Sequence, residues 1–409
     1  MRIALVTQYF WPESFSINEL VLKLEDLGHT VDVFTGKPNY PEGKVFPGYK
    51  QEGFQEEHYG ESTTIYRAPL APRGAGRAKH LVRNYLSFVW NGIRDFPKHI
   101  KKEQYDIIFV FTLSPITSVL PAIYLKHKLK KPLVIWVLDL WPDSLQATGH
   151  VKNRAVLACV GLLVRFIYSQ CSEILVQSRG FINEVKKYTR NPRIQYFSNF
   201  ADDFQAVNKV THSLSNELVS CLKQNFCVVF AGNIGTAQAI PTLIKAASAL
   251  QDLVDVKIVL VGSGSLSQWL QDNHPSNVMV AGRYPSESMP ALFALAQGLI
   301  VSLTDEQIFS QTVPAKIQTY MSAAKPIIAS INGEGARVVK EAGCGLVSPA
   351  EDSEQLANNI RQLYAMTAEQ RDRLGASGRA YFLQNFEITL QAKKLVSILA
   401  KHIPHHEQN

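Results

Sequence analysis

The chain has 409 residues, of which 46% are apolar and 19% charged, enough for two globular domains of roughly 150–200 residues each. Its net charge of +7 is unevenly shared: residues 1–200 carry 26 Lys and Arg against 17 Asp and Glu, and the remainder carry 16 against 18. Five scattered cysteines without metal-ligand spacing exclude a disulfide framework and suit a reducing compartment, and no apolar run reaches the ~18 residues of a membrane span.

Met1-Arg2 leads straight into an apolar strand at 3–7, so no secretory signal is expected and the chain reads as cytoplasmic, soluble or peripheral. A loop at 8–14, a helix at about 16–27 and a strand at 30–35 follow. The segment 36–73 is rich in Pro and Gly and reads as either an active-site flap or a long irregular insertion. Residues 77–102 interleave Arg77, Lys79, His80, Arg83, Arg94, Lys98, Lys101 and Lys102 with Leu81, Val82, Tyr85, Leu86, Phe88, Trp90 and Phe96. Such a helix either packs its apolar face on the core or rests on an anionic bilayer. A second basic cluster, Lys126 to Lys131, favours the bilayer.

Strands at 106–111 and 133–138 come next, the latter ending in Asp139-Leu140-Trp141-Pro142-Asp143-Ser144. Carboxylates at the C-terminal end of a parallel strand lie on the ligand side of the sheet. Asp139 is therefore a candidate cleft residue, while Asp143 or Ser144 could simply cap the next helix. A strand at 173–177 and a change of pattern near 197–220 close the first half. The domains are expected at 1–200 and 201–387, with a final helix at about 388–403 packing back on the first. His405-His406 reads as a frayed tail.

The second half opens with a strand at 226–230 followed by Ala231-Gly232-Asn233-Ile234-Gly235. Glycines there let backbone N–H groups approach a phosphate, although neither a Walker motif nor the dinucleotide fingerprint is complete. Strands at 256–261 and 278–281 end in Gly262-Ser263-Gly264 and Gly282-Arg283-Tyr284. A strand at 299–303 leads through a polar loop to Pro314 and a helix at 316–324, which Lys325-Pro326 ends before a strand at 327–331. A polar loop feeding a helix N-terminus at a strand end favours an anion. Helices fill most of the remainder.

Alternating strands and helices predict an α/β fold of parallel sheets covered by helices. Five segments together resemble the GT-B glycosyltransferases of retaining family four, over essentially the whole chain: Val-Thr-Gln-Tyr-Phe-Trp-Pro at 6–12, Asp-Leu-Trp-Pro at 139–142, Phe-Ala-Gly-Asn-Ile-Gly at 230–235, Leu-Val-Gly-Ser-Gly at 260–264, and 314–326. Within that family the chain most resembles the WbuB-type transferases of O-antigen assembly, described as fucosamine transferases. The resemblance implies two Rossmann-like doubly wound domains facing a cleft. It also implies a UDP-sugar donor on the C-terminal domain, an acceptor on the N-terminal domain, and no metal or other cofactor.

Where the family has an Arg and a Lys that hold the donor diphosphate, this chain has Asn233 and Gln238; where it has two Glu, this chain has Gln311 and Thr319. Arg283 and Lys316 are the cations left to neutralise the leaving diphosphate, and with Asp139 they are the catalytic candidates. The donor is expected against Gly232, Asn233, Gly235, Gly264, Arg283, Tyr284, Gln311, Thr312 and Lys316, and the acceptor against Trp11, Glu13, Asp139 and Trp141. The expected reaction moves an N-acetylated amino or deoxy hexose, such as N-acetylfucosamine, to a polyprenyl-diphosphate-linked saccharide at the inner face of the cell membrane, with 77–102 on the anionic surface. A GT-B sugar-nucleotide epimerase and a catalytically silent sugar-nucleotide-binding subunit are the alternatives. The basic residues match no nucleic-acid reader, so no nucleic-acid partner is expected.

Overall fold

Short runs of Val, Ile, Leu and Phe, buried on both faces, form parallel strands, and the intervening amphipathic segments cover them as helices. The computed structural model describes residues 1–100, 104–147, 151, 153–191, 193–204 and 214–403. Lys101, Lys102, residues 205–213 of the expected linker and the His405-His406 tail lie outside the described residues. The chain divides into one unit of Met1–Ser198 plus the segment from Ile388, and a second of Asn199–Glu387.

The N-terminal unit holds β1 (Arg2–Val6), β2 (Thr30–Gly36), β3 (Gln55–Tyr59), β4 (Thr63–Ala68), β5 (Ile107–Thr112), β6 (Leu133–Val137), β7 (Glu173–Val176) and β8 (Ile194–Tyr196). They lie in the order β3-β4-β2-β1-β5-β6-β7-β8, and all but β3 are parallel to their neighbours. The winding direction reverses between β1 and β5, which places the topological switch point beside the loops after Val6 and Thr112. The helix Ile388–Ala400 belongs to this unit. Lys394 Nζ donates to the Tyr196 carbonyl at 3.2 Å, and His402 Nε2 lies 2.6 Å from Glu173 Oε2.

Two expectations are met only in part here. The segment 36–73 is not irregular throughout: residues 37–54 form a long loop, and the β3–β4 hairpin follows. The two runs Gln55–Tyr59 and Thr63–Ala68 are free of Gly and Pro, and β4 is almost wholly buried against β2. The basic stretch is helical only over Ala78–Asp95 and then tightens to a 3₁₀ turn, Phe96–Lys98, because Pro97 lacks the N–H that a continuing helix needs.

The C-terminal unit has β9 (Phe226–Ala231), β10 (Val256–Val261), β11 (Val278–Gly282), β12 (Gly298–Ser302), β13 (Ile327–Ser330) and β14 (Gly345–Ser348), all parallel, in the order β11-β10-β9-β12-β13-β14. This is the Rossmann strand order, with its switch point between β9 and β12. The four-residue β14 is too short to stand out as an apolar run and is recognised only by its pairing with β13. Separate apolar cores cover the two faces of the sheet.

Candidate active site

At the C-terminal switch point, β9 pairs with β12 only at Val228 and Val229 and then diverges from it. The backbone of Ala231, left without a strand on that side, is satisfied by a side chain. The buried Tyr320 hydroxyl accepts the Ala231 N–H at 3.2 Å and donates to its carbonyl at 3.3 Å. Tyr320 lies on the helix Ala315–Ser322, one turn after Lys316, so both side chains leave the same helix face.

Lys316 threads the gap so formed. Its Nζ sits 3.6 Å from the centroid of the Phe230 ring, and a Cβ at position 232 would fall 2.6 Å from its Cε and 2.8 Å from its Nζ. Gly232, at φ 142°, is the residue that lets the ammonium through, both by its lack of a side chain and by a backbone conformation that L residues avoid. Lys316 has no carboxylate partner among the described residues. Burial lowers its pKa to about 7. A largely buried ammonium at a helix start, with only a ring face for company, is a site poised for an anion.

The glycine turns gather around it. The Gly232 N–H donates to the Val261 carbonyl and the Gly262 N–H to the Gly282 carbonyl, which ties the ends of β9, β10 and β11 together. The Ile234 N–H donates to Ser263, and Gly264 packs against the Ile234 carbonyl, so Gly235 and Gly264 border one rim. Asn233 Nδ2 donates to Gln238 Oε1 at 3.2 Å: the two positions that depart from the family form a neutral amide pair.

Other candidates are placed differently. Arg283 is exposed at the end of β11, the edge strand, with β10 between it and β9. Tyr284 packs its ring on the core and donates its hydroxyl to Ser215 Oγ at 2.9 Å, anchoring the start of the helix Asn216–Gln224, so only its backbone is left to border a ligand. Thr312 is a correction, because its N–H and hydroxyl are taken by the carbonyls of Phe309 and Ile308 within its own loop. Gln311 lies just past the short Gln307–Ser310 helix in that loop.

In the N-terminal unit, Asp139 and Trp141 converge on Ser114, at the end of β5. Asp139 Oδ2 accepts the Ser114 N–H at 3.0 Å and its hydroxyl at 2.8 Å, while Trp141 Nε1 donates to Ser114 Oγ at 3.0 Å. Trp141 is packed into the core and offers no open ring face, contrary to its expected role. Glu13 is likewise reassigned. It is buried; Oε1 accepts the Asn39 and Tyr40 N–H groups at 2.8 Å and Oε2 that of Phe10 at 3.2 Å. Burial raises its pKa to about 7. It clamps the loop after β1 to the loop after β2. Trp11 is 40% exposed, with its carbonyl held by Arg67. Sequence reasoning missed Tyr320, Ser114 and Phe230 as site residues; only Tyr320 carried a signal, its i+4 spacing from Lys316. Among the described residues no three His, Cys, Asp or Glu side chains are grouped to hold a metal ion.

Two Rossmann-type units in one chain, the second with an unpaired lysine at its switch point, are the build of a GT-B glycosyltransferase. The chain is a glycosyltransferase: residues 15–203 match the family described as Glycosyltransferase Family 4, and residues 225–366 that described as Glycosyl transferases group 1. It is similar to the Escherichia coli (strain K12) protein WcaI, assigned as a glycosyl transferase of colanic acid biosynthesis, at 22% identity over 68% of this chain and 69% of the relative. Among solved structures it shares its fold with sucrose-phosphate synthase from Thermosynechococcus elongatus (TM-score 0.73, 17% identity, 98% and 99% of the two chains). It shares it also with HepE from Anabaena in complex with UDP (TM-score 0.67, 14% identity, 98% and 100%).

Proposed function

We propose that this transferase moves a hexose from a UDP-sugar, with retention, to a lipid-linked saccharide in cell-surface polysaccharide synthesis. The observation that carries the donor reading is the desolvated Lys316 ammonium, without a carboxylate partner, at the Gly232 strand end. Glycosyl transfer must stabilise a departing diphosphate as the sugar becomes oxocarbenium-like, and fixed cations and helix starts aimed at the phosphates do so without reorganising. Lys316 would neutralise the leaving diphosphate, with the first-turn N–H groups of the Ala315–Ser322 helix beside it. Arg283 would approach from the sheet edge, Gly264 would border the base, and Asp139 would orient the acceptor through Ser114. This scheme uses no metal ion. HepE's complex with UDP and WcaI's assignment to colanic acid biosynthesis support the donor and the pathway class. The amino or deoxy sugar, N-acetylfucosamine for example, rests on the resemblance to WbuB-type enzymes.

The acceptor reading is supported by the Ala78–Asp95 helix. Asn84, Phe88, Gly92 and Asp95 face the core, while Val82, Leu86 and Trp90, at i, i+4 and i+8, are 55%, 58% and 72% exposed beside Lys79, Arg83 and Arg94. Leu162 and Phe166 of the helix Arg154–Ser169, which packs on the same core, are also exposed. An apolar stripe flanked by cations fits the anionic face of a bilayer. No helix among the described residues is long and apolar enough to cross one.

Incubation with a panel of UDP-N-acetylhexosamines, with and without a polyprenyl-diphosphate-linked saccharide and with and without EDTA, tests the whole reading. Acceptor-dependent, EDTA-insensitive release of UDP is expected. An isomerised donor in the absence of acceptor would replace transfer by epimerisation, and binding with neither product would leave a silent subunit.

A further inference from the structure

Arg73, in the loop after β4, is seated between two tyrosines. Its Cζ lies 5.6 Å from the ring centroid of Tyr9 and 5.2 Å from that of Tyr40, and its guanidinium donates to the Tyr9 hydroxyl. Its own N–H donates to the buried Asn39 Oδ1 at 3.0 Å. Tyr9, Asn39 with Tyr40, and Arg73 stand on the loops after β1, β2 and β4, three adjacent parallel strands, and so on the ligand side of the sheet.

Three observations say what this nest lacks. Arg67 and Arg2 of the same unit pair with Glu57 and Asp32, but Arg73 has no carboxylate partner among the described residues. The Tyr9 hydroxyl, 3% exposed as a residue, accepts from Arg73 and from Gln8 Nε2 at 3.4 Å, which leaves its own proton to be donated. Gln8 is 2% exposed; its Nε2 is committed to Asn84 Oδ1 at 2.7 Å, and its Oε1 is buried without a partner. A planar cation and a tyrosyl donor suit a phosphate ester. An orphaned amide oxygen beside them asks for a hydroxyl.

We propose that Arg73, with the hydroxyl of Tyr9, binds the phosphate joining the acceptor saccharide to its carrier, and that Gln8 Oε1 accepts a hydroxyl of the adjoining sugar. This rests on the transferase reading and narrows its acceptor to glycosyl phosphates or diphosphates. Specificity then comes from leaving buried polar groups unpaired when the phosphate is absent.

Calorimetric titration of the whole chain tests it without turnover. The probes are farnesyl-diphosphate-linked N-acetylglucosamine, N-acetylglucosamine 1-phosphate and octyl N-acetylglucosaminide. Arg73→Gln should weaken binding of the phosphate-bearing probes by roughly 10- to 100-fold and leave the neutral glycoside unaffected. Arg73→Lys, which keeps the charge but not the planar fork, should fall between, and matched melting curves show that both variants fold. If the lipid-linked probe outbinds the 1-phosphate, the carrier is a lipid diphosphate; equal binding assigns the site to the sugar phosphate itself. Arg73→Gln binding the phosphate probes as tightly as the parent, or losing all three alike, overturns the proposal. Failure of the transferase reading is distinct: there, no acceptor elicits UDP release although Arg73 still governs phosphate binding.

Discussion

The ammonium of Lys316 occupies the volume that a side chain on Gly232 would fill, 2.8 Å from where its Cβ would stand. One residue supplies the charge and the other supplies the absence that admits it. Gly232→Ala should therefore act as a binding mutation. The clash falls on the flexible end of a lysine, so the sheet survives, while φ 142° adds strain of about 1–3 kcal/mol. UDP affinity should drop by roughly 10- to 100-fold. Unchanged affinity in a calorimetric titration would remove Lys316 from the donor site.

Lys316 also predicts a pH dependence. Its pKa falls from 10.5 to about 7 in the fold, so between these values the unfolded chain holds a proton that the folded one has released. The contribution of this group to stability therefore rises with pH across that window, and the full cost of the buried charge is felt below about pH 7. Lys316→Met should raise the melting temperature at pH 6.5 and raise it less at pH 9. Binding of a diphosphate restores the proton, so UDP affinity of the parent should decline towards about tenfold per pH unit above neutrality, with proton uptake visible as buffer-dependent heats. A flat profile that Lys316→Met does not alter contradicts the assignment.

Tyr320 supports the site without touching its ligand. Tyr320→Phe leaves the N–H and carbonyl of Ala231 without their partner, at a cost of about 1–3 kcal/mol in chemical denaturation. Loosening of the strand end that carries Gly232 should weaken UDP binding in the same variant. Parent-like stability would mean that Ala231 finds other partners.

The outward stripe of the Ala78–Asp95 helix can be tested apart from catalysis. Leu86→Glu with Trp90→Glu changes exposed side chains only, so folding should be unaffected. Sedimentation with vesicles containing anionic lipid should fall several-fold for this pair, and parent binding should weaken with added salt. Equal binding of parent and variant would leave the stripe without a membrane role.

The apolar runs, the Gly and Pro punctuation and the helix periods by themselves determined two α/β halves of parallel strands covered by helices; the doubly wound order was implied only by the family resemblance and is fixed by the strand pairing. Strands buried on both faces read as short continuous apolar runs, and these are local properties of the chain. They also marked Lys316, Gly232 and Asp139 as strand-end or helix-start residues. The β3–β4 hairpin and β14 escaped because half-exposed or four-residue strands are defined by their partners more than by their own composition. Only the tertiary structure decided what each polar group does. Glu13 became a loop clamp, the Tyr284 hydroxyl met Ser215, Thr312 bonded within its own loop, Asn233 paired with Gln238, and Arg73 joined two tyrosines from distant segments. A polar side chain's role is fixed by which donors and acceptors reach it, and those come from strand ends far apart in sequence.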